Sequence, residues 1–228
     1  MNQAARALSP DSPILPTLLA DCAAAAGAAR SLLDVARERM TVRVSTGGRI
    51  SNSALEADQT AAHGLAWMAT YVESLKEMLG WAQALDADGR FGEMEHLILQ
   101  IGFGEYLWQL YGGIPMSQGE MIRPQDLGLT QDDQRGLMIP EVVSLTSQGN
   151  TDAARRRLVE LMIEQAGSAT FGATGLDEEY EMIRDQFRRF SDDKVVPHAH
   201  EWHLKDELIP MEIITEMGEL GVFGLTIP

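Results

Sequence analysis

The sequence predicts an all-α protein, antiparallel and bundle-like. Three observations carry that class. Apolar residues return at steps of three and four along each long segment, the spacing of one helix face. Capping residues and glycine stops bracket those segments. No alternating strand pattern exceeds four residues, with Val222–Ile227 the one candidate. There is no internal repeat.

Residues 1–16 carry Pro10, Pro13 and Pro16 and read as a loose leader. From Thr17 to about Arg43 the stripe Leu18, Cys22, Ala25, Ala29, Leu32, Ala36 and Met40 predicts a helix. Its alanines offer small side chains on every face, so another helix can approach closely. The run Ser45-Thr46-Gly47-Gly48 stops it. Ser53-Ala54-Leu55-Glu56 is a capping-box pattern and places the next helix start near Ser53. That helix should run to about Leu85. One stripe is Leu65, Met68, Val72, Leu75, Leu79 and Ala82; another is Trp67, Tyr71, Met78, Trp81 and Leu85. Two stripes require burial on two sides. The helix is either central in a bundle or shared with a second copy of the chain.

After the Asp86–Gly89 turn, Phe91 to Tyr111 forms a third helix. Gly102 and Gly104 sit inside it, and each costs about 1 kcal/mol relative to alanine in a helix interior. Two so close together point to tight helix contact or a local break. Residues 116–140 read as irregular, with a short helix from Thr130, and Pro140–Ser147 reads as a helical turn or two. Thr151 or Asp152 caps a helix through Gln165, with Arg155, Arg156 and Arg157 on its solvent side.

Gly167 to Gly175 is the clearest linker. The expected organisation is therefore a leader at 1–16, a helical extension at 17–166, a linker at 167–176 and a second region at 177–228. That region opens with Asp177, Glu178 and Glu179 on the positive end of a helix dipole. Tyr180, Ile183, Phe187 and Phe190 form the apolar face of this helix. Pro197 ends or kinks it, and Pro210 suits the first turn of the next helix. The apolar segment Val222–Ile227 leads toward something that buries it. The expectation is that the chain is the front part of a larger protein.

Composition narrows the functional classes. Apolar residues at 45% allow a packed core and argue against disorder. Eighteen basic against 34 acidic residues give a net charge of −16, half of it from Gly175 onward. Such a surface repels phosphate backbones and anionic membranes, so nucleic acid and membrane are not expected partners. It reads as a soluble acidic surface, with docking to a basic partner as the sharper alternative. The first residues lack a basic stretch followed by an apolar one, so no secretory signal is expected. Cys22 is the one cysteine, which excludes an intrachain disulfide and fits a cytoplasmic location.

Candidate chemistry is thin. His198, His200 and His203 lie near Glu201 and Glu207, a spacing that can hold a metal but reads more simply as an exposed polar hinge. Glu93-Met94-Glu95-His96 contains Glu-x-x-His, half of a di-iron bundle motif whose partner is missing; it reads as surface carboxylates beside a partly buried histidine. His63 reads as a satisfied packing residue. Gly102-Phe103-Gly104-Glu105 lacks the strand and lysine of a phosphate loop. No nucleophile has an evident base. The residues assign no catalytic, cofactor-binding or metal position.

The final stretch does carry a resemblance. Phe187-Arg188-Arg189-Phe190, Val195-Val196-Pro197-His198-Ala199, Glu201-Trp202, Ile209-Pro210 and the run Met217 to Pro228 together resemble the start of an acyl-CoA dehydrogenase. Ordinary members begin near Asp177. The helical extension before it is similar to that of the methylsuccinyl-CoA dehydrogenase branch, on Ala61-Ala62-His63-Gly64-Leu65-Ala66-Trp67 through Glu73 and on Gln100 through Leu107.

The resemblance implies FAD as cofactor and an acyl-CoA thioester as substrate, oxidised at its CH–CH bond to an enoyl-CoA. It further implies electron-transferring flavoprotein as electron acceptor and a homo-oligomer. None of the family's catalytic residues falls on a position of this sequence, so this chain alone is expected to be inactive. The alternative is a non-catalytic helical interaction module derived from such an enzyme. A carboxylate-bridged metal protein is a third reading, and no metal is expected.

Overall fold

The computed structural model describes residues 13–167 and 170–224. It is helical throughout, with two short antiparallel hairpins as its strands. The chain divides into two compact units, Met1–Gly175 and Leu176–Pro228.

The first unit is built on three long helices: α1 (Leu18–Arg43), α3 (Gln59–Ala87) and α4 (Glu93–Gly112). All seven residues of the first expected stripe, Leu18 to Met40, are buried. The alanine-rich side lets α1 lie close along α3, and α1 also touches α4. The long helix α3 is flanked within the chain by α1 and by α4, which accounts for both of its stripes. Phe103, Leu75, Leu97, Leu99 and Leu107 are fully enclosed. Truncating a side chain of this kind to alanine costs about 2–5 kcal/mol.

Several local expectations are corrected. The glycines after α1 do more than stop it. Gly47 and Gly48 have φ of 60° and 76°, and they close a two-residue hairpin between β1 (Ser45–Thr46) and β2 (Arg49–Ile50). Positive φ at both positions is the turn whose twist matches paired strands. The next cap is Ser51, not Ser53; its hydroxyl accepts the Ala54 N–H at 3.3 Å. It starts a short α2 (Asn52–Ala57), which breaks at Asp58 (φ −114°, ψ 27°) before α3 begins. The Arg43 guanidinium grips the Asp58 carboxylate at that break.

The region read as irregular holds a second hairpin, β3 (Ile114–Ser117) with β4 (Glu120–Ile122). Ile122 is buried over Gly64 of α3, where a Cβ would collide with it. A 3₁₀ turn at Pro124–Leu127 follows, then α5 (Gln131–Leu137), capped by Thr130 as expected, and α6 (Pro140–Ser144). The backbone then widens into a π-turn, Leu145–Gly149. Thr151 caps α7 (Asp152–Glu164) through the Ala154 N–H at 3.2 Å. Gly102 and Gly104 mark contact rather than a break, since α4 is continuous. A Cβ on Gly104 would sit 2.8 Å from the Leu145 carbonyl oxygen.

The first twelve residues of the expected leader lie outside the described residues. Its end is not loose: Ile14 and Leu15 are buried. The reason is Gln100 of α4, itself fully buried. Its Oε1 accepts the Leu15 N–H (3.1 Å), and its Nε2 donates to Pro13 O and Gly149 O (2.9 Å each).

The second unit contains α8 (Glu178–Phe190), a π-turn (Ser191–Val195), α9 (Val196–Leu204) and α10 (Met211–Glu219). The helix expected to reach Pro197 stops at Phe190 and passes through the π-turn into α9. Pro197 sits in the first turn of α9, and the π-turn before it relieves the clash that a proline makes with the preceding turn. Pro210 is the N-cap of α10, one place before the expected first turn. Lys194 reaches Glu216 of α10 at 3.2 Å. Val222–Gly224 forms a 3₁₀ turn rather than a strand; the rest of the Val222–Ile227 candidate lies outside the described residues.

Candidate functional site

The group Glu93, Glu95 and His96 occupies the first turn of α4. Glu93 is half-exposed and paired in a two-point ion pair with Arg157 of α7. His96 is half-buried, stacks on Phe91 with ring centroids 3.8 Å apart, and places Nδ1 2.7 Å from the Gly92 carbonyl oxygen. Glu95 departs from the expectation of a surface carboxylate: it is 6% exposed. Its Oε2 accepts the Gly92 N–H at 3.0 Å, and its Oε1 accepts the Ala173 N–H at 2.6 Å. Burial follows from capping, because a helix N-terminus has N–H groups that need acceptors. The sequence signal is Gly92 three residues before Glu95, but glycine at the cap position hides it from a search for Ser or Thr.

His63 is not a packing residue. It lies on the exposed flank of α3 and accepts the Trp67 indole N–H at 3.0 Å. His198, His200 and His203 are all exposed on α9, with His198 tilted against Trp202 at 5.7 Å. Among the described residues no three His, Cys, Asp or Glu side chains converge as metal ligands would.

Cys22 is fully buried in α1. Burial pushes its thiol well above the ordinary range, and the neighbouring Asp21 charge adds to the shift. Such a thiol is an inert core group. Sequence reasoning also missed the network around Glu105. Glu105 accepts from Gln109 (2.8 Å), Asn150 (2.9 Å) and Arg155 (3.1 Å). The Tyr71 hydroxyl donates to Gln109 at 2.7 Å, and its ring stacks on Tyr106 at 4.5 Å. The Tyr71 phenol is raised by burial first, then by Tyr106 and Glu105. Arg155 and Arg156 are exposed as expected, and Arg155 reaches Glu105 from the surface, while the half-buried Arg157 ties α7 to α4 through Glu93.

Two shallow depressions occur on the first unit. One, of about 360 Å³, is lined by Gln59, Thr60, His63, Met116 and Glu120. The other, of about 460 Å³, is lined chiefly by Arg43, Asp58, Gln125 and Asp126. Neither gathers a nucleophile with a base. No helix among the described residues is long and apolar enough to cross a membrane.

The second unit presents an apolar surface among its described residues. Of its described apolar residues only Ile213 is buried, while Leu208 is 91% exposed and Leu204 71%. Phe187 and Phe190 are half-buried on α8, and Trp202 is half-buried on α9. The residues of this unit that carry the family resemblance lie from α8 through the π-turn, α9 and α10 to the 3₁₀ turn at Val222–Gly224, with Ile209 and Pro210 just before α10; those after Gly224 lie outside the described residues.

Comparison with known proteins bears on this unit directly. A family model described as "Acyl-CoA dehydrogenase, N-terminal domain" matches residues 177–228. The chain is 57% identical over 216 residues to the (2S)-methylsuccinyl-CoA dehydrogenase of Cereibacter sphaeroides, a match covering 95% of this chain and 39% of that protein. It is 38% identical over 53 residues to the glutaryl-CoA dehydrogenase of Desulfococcus multivorans, covering 23% of this chain and 14% of that protein. The chain thus spans well under half the length of the relatives it matches. A 216-residue match cannot fit within residues 177–228, so it also runs through the first unit. Residues 177–228 are an N-terminal-domain segment of the acyl-CoA dehydrogenase family, and the chain that carries them belongs to that family as an N-terminal part.

Proposed function

We propose that this chain is the N-terminal part of a cytoplasmic, FAD-dependent acyl-CoA dehydrogenase that oxidises the CH–CH bond of methylsuccinyl-CoA. Residues 17–166 serve as a helical extension, 167–176 as the join, and 177–228 as the opening of the dehydrogenase N-terminal domain. Electron-transferring flavoprotein receives the electrons, and the assembled enzyme is a homo-oligomer. The observation that carries the substrate assignment is the reach of the 57% identity across the helical extension. A shared family segment alone would support only a dehydrogenase of unstated specificity.

The flavin contacts are assigned to the remainder of the enzyme. Both depressions are shallow and carry acidic side chains, Glu120 in one and Asp58 and Asp126 in the other, where Arg43 is already paired with Asp58, so neither lining favours a pyrophosphate. No residue of the chain is assigned a catalytic, flavin-binding or metal role in this reading. The chain supplies helical packing surface, and the chemistry is assigned to the remainder of the enzyme.

The test uses the complete product of the gene. It is expected to purify with a yellow flavin spectrum that (2S)-methylsuccinyl-CoA bleaches anaerobically and glutaryl-CoA bleaches far more slowly. Electron-transferring flavoprotein should restore the oxidised spectrum. A colourless product, or a flavin reduced equally by both thioesters, would overturn the assignment. The 228-residue chain alone is expected to leave added FAD fluorescence unchanged.

A further inference from the structure

We propose that Glu95 is a latch that holds the glycine-rich segment Gly172–Gly175 closed as a strap over the junction of α3 and α4. This does not rest on the dehydrogenase reading. The sequence predicts a free linker here, yet hydrogen bonds fix the segment. The Ala173 N–H donates to Glu95 Oε1 at 2.6 Å, the Ala173 carbonyl accepts the Trp81 indole N–H at 3.1 Å, and the Gly172 N–H donates to Gln165 at 3.3 Å. One of these acceptors is a carboxylate enclosed by the protein, where hydrogen bonds are stronger than in water.

The glycines fit this role. A Cβ on Gly172 would stand 2.8 Å from Glu95 Oε1, and one on Gly92 would stand 2.8 Å from Oε2. The carboxylate is held between two backbone positions that lack a side chain. Gly172 and Gly175 both take left-handed φ, 76° and 75°, which L side chains rarely adopt. A Cβ on Gly175 would stand 3.0 Å from the Trp81 ring and 3.9 Å from Leu85. Ala173 packs against the main core. Closed, the strap shields the seam of Trp81, Leu85 and Met94. Open, it would uncover that seam and free the segment that precedes α8. A carboxylate with two backbone N–H partners on two different elements is a switchable contact, because losing the Ala173 bond leaves the Gly92 cap in place.

The test is amide hydrogen exchange on the full chain, wild type against Glu95→Gln and Gly92→Ala. Glutamine has one acceptor oxygen and cannot serve both N–H groups. Gly92 has φ −89° and ψ −173°, open to alanine, so Gly92→Ala displaces the carboxylate without straining the backbone. The wild-type Ala173 amide should exchange at least about tenfold more slowly than its intrinsic rate. Both variants should remove that protection while the core amides of Leu75 and Leu107 keep theirs. Trp81→Phe, which loses only the indole donor, should remove part of it. An unprotected wild-type Ala173 amide overturns the latch, as does protection that survives Glu95→Gln. Equal loss at Leu75 and Leu107 also overturns it, since Glu95 would then be only a cap on which the unit's stability depends.

Discussion

Arg157 and Glu93 meet face to face across α7 and α4, with Nε 2.7 Å from Oε1 and Nη2 2.8 Å from Oε2. The two side chains come from positions 64 residues apart and are each about 30% exposed. Nη1 also reaches Glu160 at 3.1 Å. The hydrogen bond to Glu93 is the largest of the influences that hold the guanidinium charged. Two parallel N–H···O bonds fix orientation as well as charge, which a lysine cannot do.

A double-mutant cycle on Arg157→Ala and Glu93→Gln should therefore give a coupling of about 1 kcal/mol, near the top of the range for exposed pairs. Arg157→Lys should recover less than half of it. Urea unfolding of the four proteins measures this, and a coupling indistinguishable from zero would mean that α7 is held by its apolar contacts alone.

Gln100 makes a stronger demand. Its side chain satisfies three backbone groups, at Pro13, Leu15 and Gly149, with no access to water. Gln100→Leu keeps the volume and leaves all three unpaired, at about 1–3 kcal/mol for each group. The expected outcome is a loss of about 3 kcal/mol or more in urea unfolding. The same variant should accelerate amide exchange at Leu15.

These pairings explain what is legible in the sequence and what is not. The α1 stripe from Leu18 to Met40 is buried at every expected position because helix periodicity is a local property. The caps at Thr130 and Thr151 are legible for the same reason. Gln100 enters only through the family resemblance, since its partners lie 85 and 49 residues away and no local pattern announces them. Arg155 and Arg157 look like solvated charge because Glu93 and Glu105 sit on another helix. The resemblance itself is legible in the order of residues on α8, α9 and α10. No active site is legible in the residues taken alone.

The glycines of the helices should divide by sign. Gly104→Ala places a Cβ 2.8 Å from the Leu145 carbonyl oxygen and 2.8 Å from the Asn150 side chain, and backbone cannot yield cheaply. A loss of about 1–3 kcal/mol is expected. Gly27 and Gly80 have nothing within 4 Å of a new Cβ and ordinary helical φ. Alanine there should stabilise by about 0.5–1 kcal/mol. Thermal melts of the three variants, read against wild type, test the contrast directly.

Cys22 ties stability to alkaline pH. Its folded-state thiol titrates above the ordinary value of 9.0, chiefly because burial disfavours the thiolate and secondarily because Asp21 repels it. A raised folded value means the protonated thiol is favoured by folding, so its contribution is fully present below pH 9.0 and declines as pH rises beyond it. Cys22→Ala should remove that dependence at the cost of a small cavity. The wild-type and variant unfolding free energies should therefore converge as pH rises above 9.0. The native thiol should also resist a disulfide reagent at mildly alkaline pH and react at once in denaturant. Rapid native reaction would mean that α1 opens locally around Cys22, against its complete enclosure by the α1 core.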